Sequence, residues 1–194
     1  MAIGSLLGIA LRGIRRDAAD GRLSAWGRST VVDENVAAAV IDRELFDLLH
    51  AEARIDAEFP VGNAGLVHVY GYFFSEVVTP YGYKRDRWTD GVLAARLGMA
   101  EDAFLLRDDA AATPLERVTA AALPLVTSPP EQVDVIDQSV DGVPTRAVVT
   151  APGVLAYAVD GSLVTVFPVA DAAAFAAGVR AEPPRLRWNA VAPH

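Results

Sequence analysis

The sequence predicts an α+β chain in which an antiparallel sheet of β-hairpins packs with several helices, as a single domain over residues 1–194. Three observations carry that reading. Asp141-Gly142 and Asp160-Gly161 each split a run of alternating apolar residues, the pattern of tight hairpins whose two central residues take positive φ. Asp42, Thr113 and Asp171 each precede an apolar-periodic stretch, where a side-chain oxygen caps a helix. The third is composition: 194 residues, 52% hydrophobic and 22% charged, are enough to bury one sizeable core.

In order along the chain, Leu6, Leu7, Ala10, Leu11 and Ile14 recur at helical spacing, with Arg12, Arg15 and Arg16 largely on the other side. Gly21 stops that helix. Ser24 to Val32 and Val36 to Ile41 read as a hairpin turning at Asp33, Glu34 and Asn35. Asp42 caps a helix carrying Leu45, Phe46, Leu48 and Leu49, which ends before Pro60. After a loop at 62–65, the apolar and aromatic run from Leu66 to Val78 reads as the strongest strand of the sequence. Pro80 and Gly82 favour a type I turn over 79–82, returning the chain through Tyr83 to Trp88.

Thr89 or Asp90 then caps a helix through Leu97, with Gly98 as its stop, and a short helix holds Phe104, Leu105 and Leu106. Residues 107–113 are the place for an internal connection. Beyond it, Thr113, Pro114 and Glu116 open a helix that should stop near Pro124, and 127–131 is a loop. The two Asp-Gly hairpins supply four strands, from Val133 to Thr150 and from Val154 to Val169. Pro144 lacks an N–H, which places its strand at an edge or a bulge. Asp171 caps a last helix through Val179, and Arg185 to Val191 adds a final strand. No fixed-period repeat is present.

Composition narrows the function classes. A formal net charge of −8 repels polyanions, so nucleic acid and anionic membrane surfaces are not expected partners. The chain has no cysteine, which removes thiolate catalysis, disulfides and thiolate-bound zinc. The apolar stretch at the N-terminus is followed, not preceded, by arginines and is too short to span a bilayer. The reading is a cytoplasmic protein, with a homo-oligomer allowed. No phosphate-binding glycine loop, dinucleotide fingerprint or nucleophile elbow occurs. His50, His68 and His194 form no metal-ligand pair, so neither metal nor cofactor is expected.

The chemistry that remains sits in the 66–88 hairpin. Side chains alternate faces along a strand, so Val67, Val69, Phe73, Ser75 and Val77 form the core face. The other face carries His68, Tyr70, Tyr72 and Glu76. With the turn at 79–82, Val78 pairs with Tyr83, Glu76 with Arg85 and Phe74 with Arg87, and paired residues share a face. His68 and Glu76 are then the candidate proton-transfer groups, and Arg85, Arg87, Tyr70, Tyr72 and Tyr83 the candidate ligand-binding residues. Arginine's planar fork suits a carboxylate or phosphate. A one-residue slip would substitute Lys84, Asp86 and Trp88. Glu76 opposite Arg85 is more simply read as an ordinary cross-strand ion pair on a solvated face. Trp–Arg stacking at a sheet edge accounts for Trp26, Arg28 and Ser29, and for Arg185, Arg187 and Trp188.

Two readings follow. One is a protein without catalysis that binds a small anionic ligand, a carboxylate or phosphate, or a protein partner. The other is a small lyase, isomerase or hydrolase in which Arg85 and Arg87 hold a carboxylated compound while His68 or Glu76 moves the proton. A concave, water-restricted site would favour a ligand or substrate, and an open apolar face a subunit contact.

Overall fold

The structure, a computed structural model, describes residues 3–186. It opens with α1 (Ile3–Ala19). Ala10 and Ile14 are buried while Arg12, Arg15 and Arg16 face outward, the division the spacing predicts. Gly21 turns the chain at a φ of 71°. A short 3-10 turn (Arg22–Ala25) then takes up the start of the expected first hairpin, followed by β1 (Arg28–Thr30), β2 (Val32–Asp33) and β3 (Ala38–Ala39). Only β2 and β3 pair as a hairpin, with Val36 inside the turn. Asp42 caps α2 (Arg43–Ala53) by accepting the Leu45 N–H at 2.7 Å. Past it, β4 (Val61–Asn63) pairs antiparallel with β1.

The largest departure from expectation is the run after β4. Residues Leu66–Tyr70 form a π-helical turn and Gly71–Phe74 a 3-10 turn, so most of the predicted strand is helical. Every residue from 64 to 72 is buried. A run this apolar, with His68 its one ionisable group near neutral pH between 64 and 72, is compatible with a buried strand or a helix enclosed on all sides, because neither leaves a polar stripe. Asn63 decides in favour of helix: its Oδ1 accepts the Gly65 and Leu66 N–H groups at 3.0 and 3.2 Å. Close packing does the rest. A Cβ on Gly71 would lie 2.9 Å from Ile41, and one on Gly65 2.9 Å from Leu115.

The turn over 79–82 forms as predicted, joining β5 (Val78–Thr79) to β6 (Gly82–Tyr83) with Val78 opposite Tyr83. The ladder stops there. Glu76 is not paired with Arg85, nor Phe74 with Arg87, because one flank is helical and the other enters α3 (Asp86–Thr89). Next, α4 (Val92–Arg96) begins where Asp90 accepts the Val92 N–H, and Gly98 follows it at a φ of 74°. The expected short helix at 104–106 is absent: residues 101–104 are turn. Thr113 caps α5 (Pro114–Thr127) by accepting the Glu116 N–H at 3.0 Å. That helix runs one turn past Pro124, contrary to expectation. Its last turn is held by buried Val126, whose carbonyl accepts from Arg146 at 2.9 Å.

The main sheet comprises β7 (Asp134–Val140), β8 (Val143–Val149), β9 (Val154–Val159) and β10 (Ser162–Pro168), in the order β10-β9-β8-β7. Both Asp-Gly turns have positive φ at both residues, 50° and 81°, then 48° and 77°. Pro144 therefore lies in an interior strand, and the edge or bulge assignment is wrong. The β8–β9 ladder begins only at Thr145, so no partner needs an N–H from Pro144, whose carbonyl accepts from Asp160 in the adjacent turn. Asp171 caps α6 (Ala172–Ala181). The expected strand 185–191 and the cluster of Arg187 and Trp188 fall almost wholly outside the described residues.

Both faces of the sheet are covered, and every residue of β9 is buried. One core joins Val148, Ala156, Ala158, Leu163 and Val166 to α1, α2, α5 and the helical segment 64–74; the other packs Tyr157, Leu155 and Val164 against Ala176 and Val179 of α6. A register shift between Leu163 and Thr165 in β10 sets Thr165 opposite Tyr157 and Phe167 opposite Leu155. Thr165 and Phe167 thereby share the α6 side of that edge strand.

Candidate functional site

The helical course of 66–74 redistributes the predicted site residues. His68 and Tyr72, four apart, meet edge to face with ring centroids 4.8 Å apart. His68 Nε2 lies 2.8 Å from Ser29 Oγ on β1. The Arg87 guanidinium stands 5.4 Å from the Tyr72 centroid and 5.2 Å from that of Phe167, and donates to Thr165 Oγ1 at 3.3 Å. Lys84, the residue favoured by the slipped register, reaches the same Tyr72 ring at 5.9 Å while pairing with Asp33 at 2.5 Å. Burial alone would raise the Asp33 carboxyl. The ammonium of Lys84 and two donors from Asn35 outweigh it and hold Asp33 below its ordinary 3.8.

His68, Tyr72 and Arg87 are thus brought together, with Lys84 added. The other candidates go elsewhere. Arg85 stacks on Tyr83 at 4.4 Å on the outer hairpin, and Glu76 is exposed. Tyr70 points the other way, toward α1 and α5.

There the Tyr70 hydroxyl donates to Asp17 Oδ2 at 2.5 Å, and Thr113 Oγ1 donates to the same carboxylate at 2.7 Å. Asp17 is fully buried. Burial pushes its carboxyl up, opposed by the two hydroxyl donors and by Arg22. Burial and the adjoining carboxylate likewise push the Tyr70 phenol up. On the solvent side of this network lies a pocket of about 160 Å³ lined by Tyr70, Thr113, Gly13 and three arginines, Arg12, Arg16 and Arg107. Arg12 and Arg16 are one helical turn apart on α1 and share a face. Arg107 comes from the connection that precedes α5. Asp108, 2.6 Å from Arg12, is the one carboxylate in the lining, and Arg16 donates to the Ala111 carbonyl at 2.5 Å.

A second, more open groove of about 640 Å³ runs beside β1 and β4, with Arg28, Arg43, Asp47 and Phe59 in its walls. Neither of these two pockets is lined by His68, Glu76, Arg85 or Arg87. Trp26 does line the groove, but its indole N–H is already directed at Thr119 Oγ1 at 2.8 Å.

Sequence reasoning missed Arg12, Arg16, Arg107 and Asp17 as site residues. The i,i+4 spacing of the first two is visible in the sequence. The approach of Arg107 is a tertiary event with no local signature. Among the described residues no group of three His, Asp or Glu side chains is placed to hold a metal ion, and no helix is long and apolar enough to cross a membrane. No family model, curated protein or solved structure matches the chain.

Proposed function

We propose that the protein binds a small carboxylate or phosphate in the pocket between α1 and the start of α5. One observation carries this reading: three guanidinium groups and a single carboxylate line a concavity of about 160 Å³. Its volume suits an anion of a few heavy atoms. Arg12 and Arg107 pair with Asp108 and Asp102, each at 2.6 Å, so a ligand would meet their remaining N–H donors beside the Arg16 guanidinium; the chain as a whole is acidic, and a small anion feels these nearby groups more than the screened net charge. Planar guanidinium groups at a concave rim offer the paired N–H donors that carboxylate and phosphate oxygens accept.

A second reading rests on the convergence of His68, Lys84 and Arg87 on the Tyr72 ring. There two cations would hold a carboxylated compound and His68 would transfer the proton, giving a small lyase, isomerase or hydrolase.

A thermal-shift series with acetate, phosphate and sulfate separates the two. The expected result is a rise in melting temperature that is lost in Arg12→Ala, Arg16→Ala and Arg107→Ala and kept in Arg87→Ala. The reverse pattern moves the anion to Tyr72. Equal shifts in all four variants and wild type remove both sites.

A further inference from the structure

We propose that this pocket takes up a proton together with its anion and that the proton settles on Asp17, a regulation that rests on reading the pocket as an anion site. Tyr70 and Thr113 both line the pocket, and both spend their hydroxyl hydrogens on Asp17. The carboxylate therefore sits one hydrogen bond behind the wall that an anion would touch. Its surroundings do not balance it. The charged groups facing it are Arg22 from the turn after α1 and Glu116 from α5. Arg22 is shared: it lies 3.4 Å from Asp17 and 3.3 Å from Glu116, and it also bonds Asp20. Arg16, from α1 itself, reaches Glu116 at 4.0 Å. The remaining titratable group in contact, among the described residues, is the phenol of Tyr70, which is neutral and donating.

An anion bound against this wall adds a like charge near a buried carboxylate, where such repulsion is strongest. Taking one proton from solvent relieves it. The acid so formed donates its O–H to the oxygen of Tyr70 or Thr113, and that hydroxyl can turn its own hydrogen toward the pocket. No bond other than O–H is made or broken. The linkage has a fixed sign: anion binding raises the proton affinity of Asp17, so anion affinity must rise as pH falls.

The test is titration calorimetry of the full chain with sulfate, which stays ionised across the neutral and mildly acidic range, in buffers of differing ionisation enthalpy. Up to one proton should be taken up per sulfate, and affinity should rise by at most about tenfold per pH unit. Asp17→Asn should bind with no proton uptake and with affinity independent of pH. Sulfate binding in wild type with flat affinity and no uptake, or uptake that persists in Asp17→Asn, overturns the proton coupling and leaves the anion site standing. No binding at any pH removes the site and the coupling together. If Asp17→Asn does not fold, the buffer series on wild type decides whether sulfate and proton are coupled, and infrared difference spectra decide the site: a new protonated-carboxyl C=O band on sulfate binding, shifted in Tyr70→Phe, supports Asp17, and its absence overturns the assignment.

Discussion

Lys84 Nζ lies 2.5 Å from Asp33 Oδ2, with the two side chains only 15% and 7% exposed. This is the chain's single lysine, and it bridges the β2–β3 hairpin to the segment leaving β6. Removing one member strands a charge that water scarcely reaches. Lys84→Ala is therefore expected to cost about 3–5 kcal/mol in urea unfolding, whereas the double change Lys84→Met with Asp33→Leu should cost much less. The pH profile has a definite sign. The Asp33 carboxyl is held below its unfolded value, so the pair's contribution is complete above about pH 3.8 and is lost as pH falls through the lower, folded value. Lys84→Ala should remove that acid-side loss.

Arg87 lies between the Tyr72 and Phe167 rings and donates to Thr165 Oγ1, and the register shift in β10 turns Thr165 and Phe167 to the α6 side of that strand. A planar, weakly hydrated guanidinium stacks where a compact ammonium does not. Arg87→Lys should accordingly recover little of the stability that Arg87→Met loses, with the difference between them within about 1 kcal/mol by denaturant midpoint. Full recovery by lysine would show that charge, not stacking, is what the site uses.

How much of this is legible in the sequence depends on the range of the interaction that fixes each element. Helix caps at Asp42, Thr113 and Asp171 and the two Asp-Gly turns are readable because their partners lie within three residues. The turn at 79–82 and the pairing of Val78 with Tyr83, five residues apart, are readable because they too are short-range. Leu66 to Val78 is not, because an enclosed helix and an enclosed strand demand the same apolar residues; only Asn63, two positions before Gly65, hints at a cap. The continuation of α5 past Pro124 depends on Arg146, twenty residues beyond Val126. In the pocket, Arg12 and Arg16 share a helix face by spacing alone, but Arg107 and Tyr70 reach them through contacts that no local pattern encodes.

His50 offers a pH test free of the proposed site. Its Nδ1–H donates to the Phe46 carbonyl at 2.8 Å and its Nε2 accepts the Asn63 N–H at 3.0 Å, which requires the neutral ring. Burial lowers its proton affinity below the ordinary 6.5, against a smaller opposing pull from the Phe46 carbonyl and Asp47. The unfolded chain thus binds the proton more readily, and stability should fall as pH drops below about 6.5, by at most about 1.4 kcal/mol per unit. His50→Gln should flatten that slope while giving up some stability at mildly alkaline pH. A slope unchanged by the substitution would place the titrating group elsewhere.

Arg96 and Gly153 fix the return from β10 to the tight loop between β8 and β9. Arg96 Nη1 donates to the Gly153 carbonyl at 2.7 Å and to the Val169 carbonyl at 2.6 Å, tying α4 to both ends of the hairpin. Gly153 sits at a φ of 83°, and a Cβ there would stand 2.6 Å from the Val169 oxygen and 2.9 Å from Arg96 Nη1. Alanine at 153 meets two separate obstacles, an unfavourable backbone conformation and a collision with backbone. Gly153→Ala should therefore cost more than Arg96→Ala, for which the loss of two charge-assisted bonds is expected to be about 1.5–3 kcal/mol. The double variant should cost less than the sum, since the added methyl group already displaces the guanidinium. Strict additivity in urea unfolding would mean that the arginine and the glycine act on different parts of the loop.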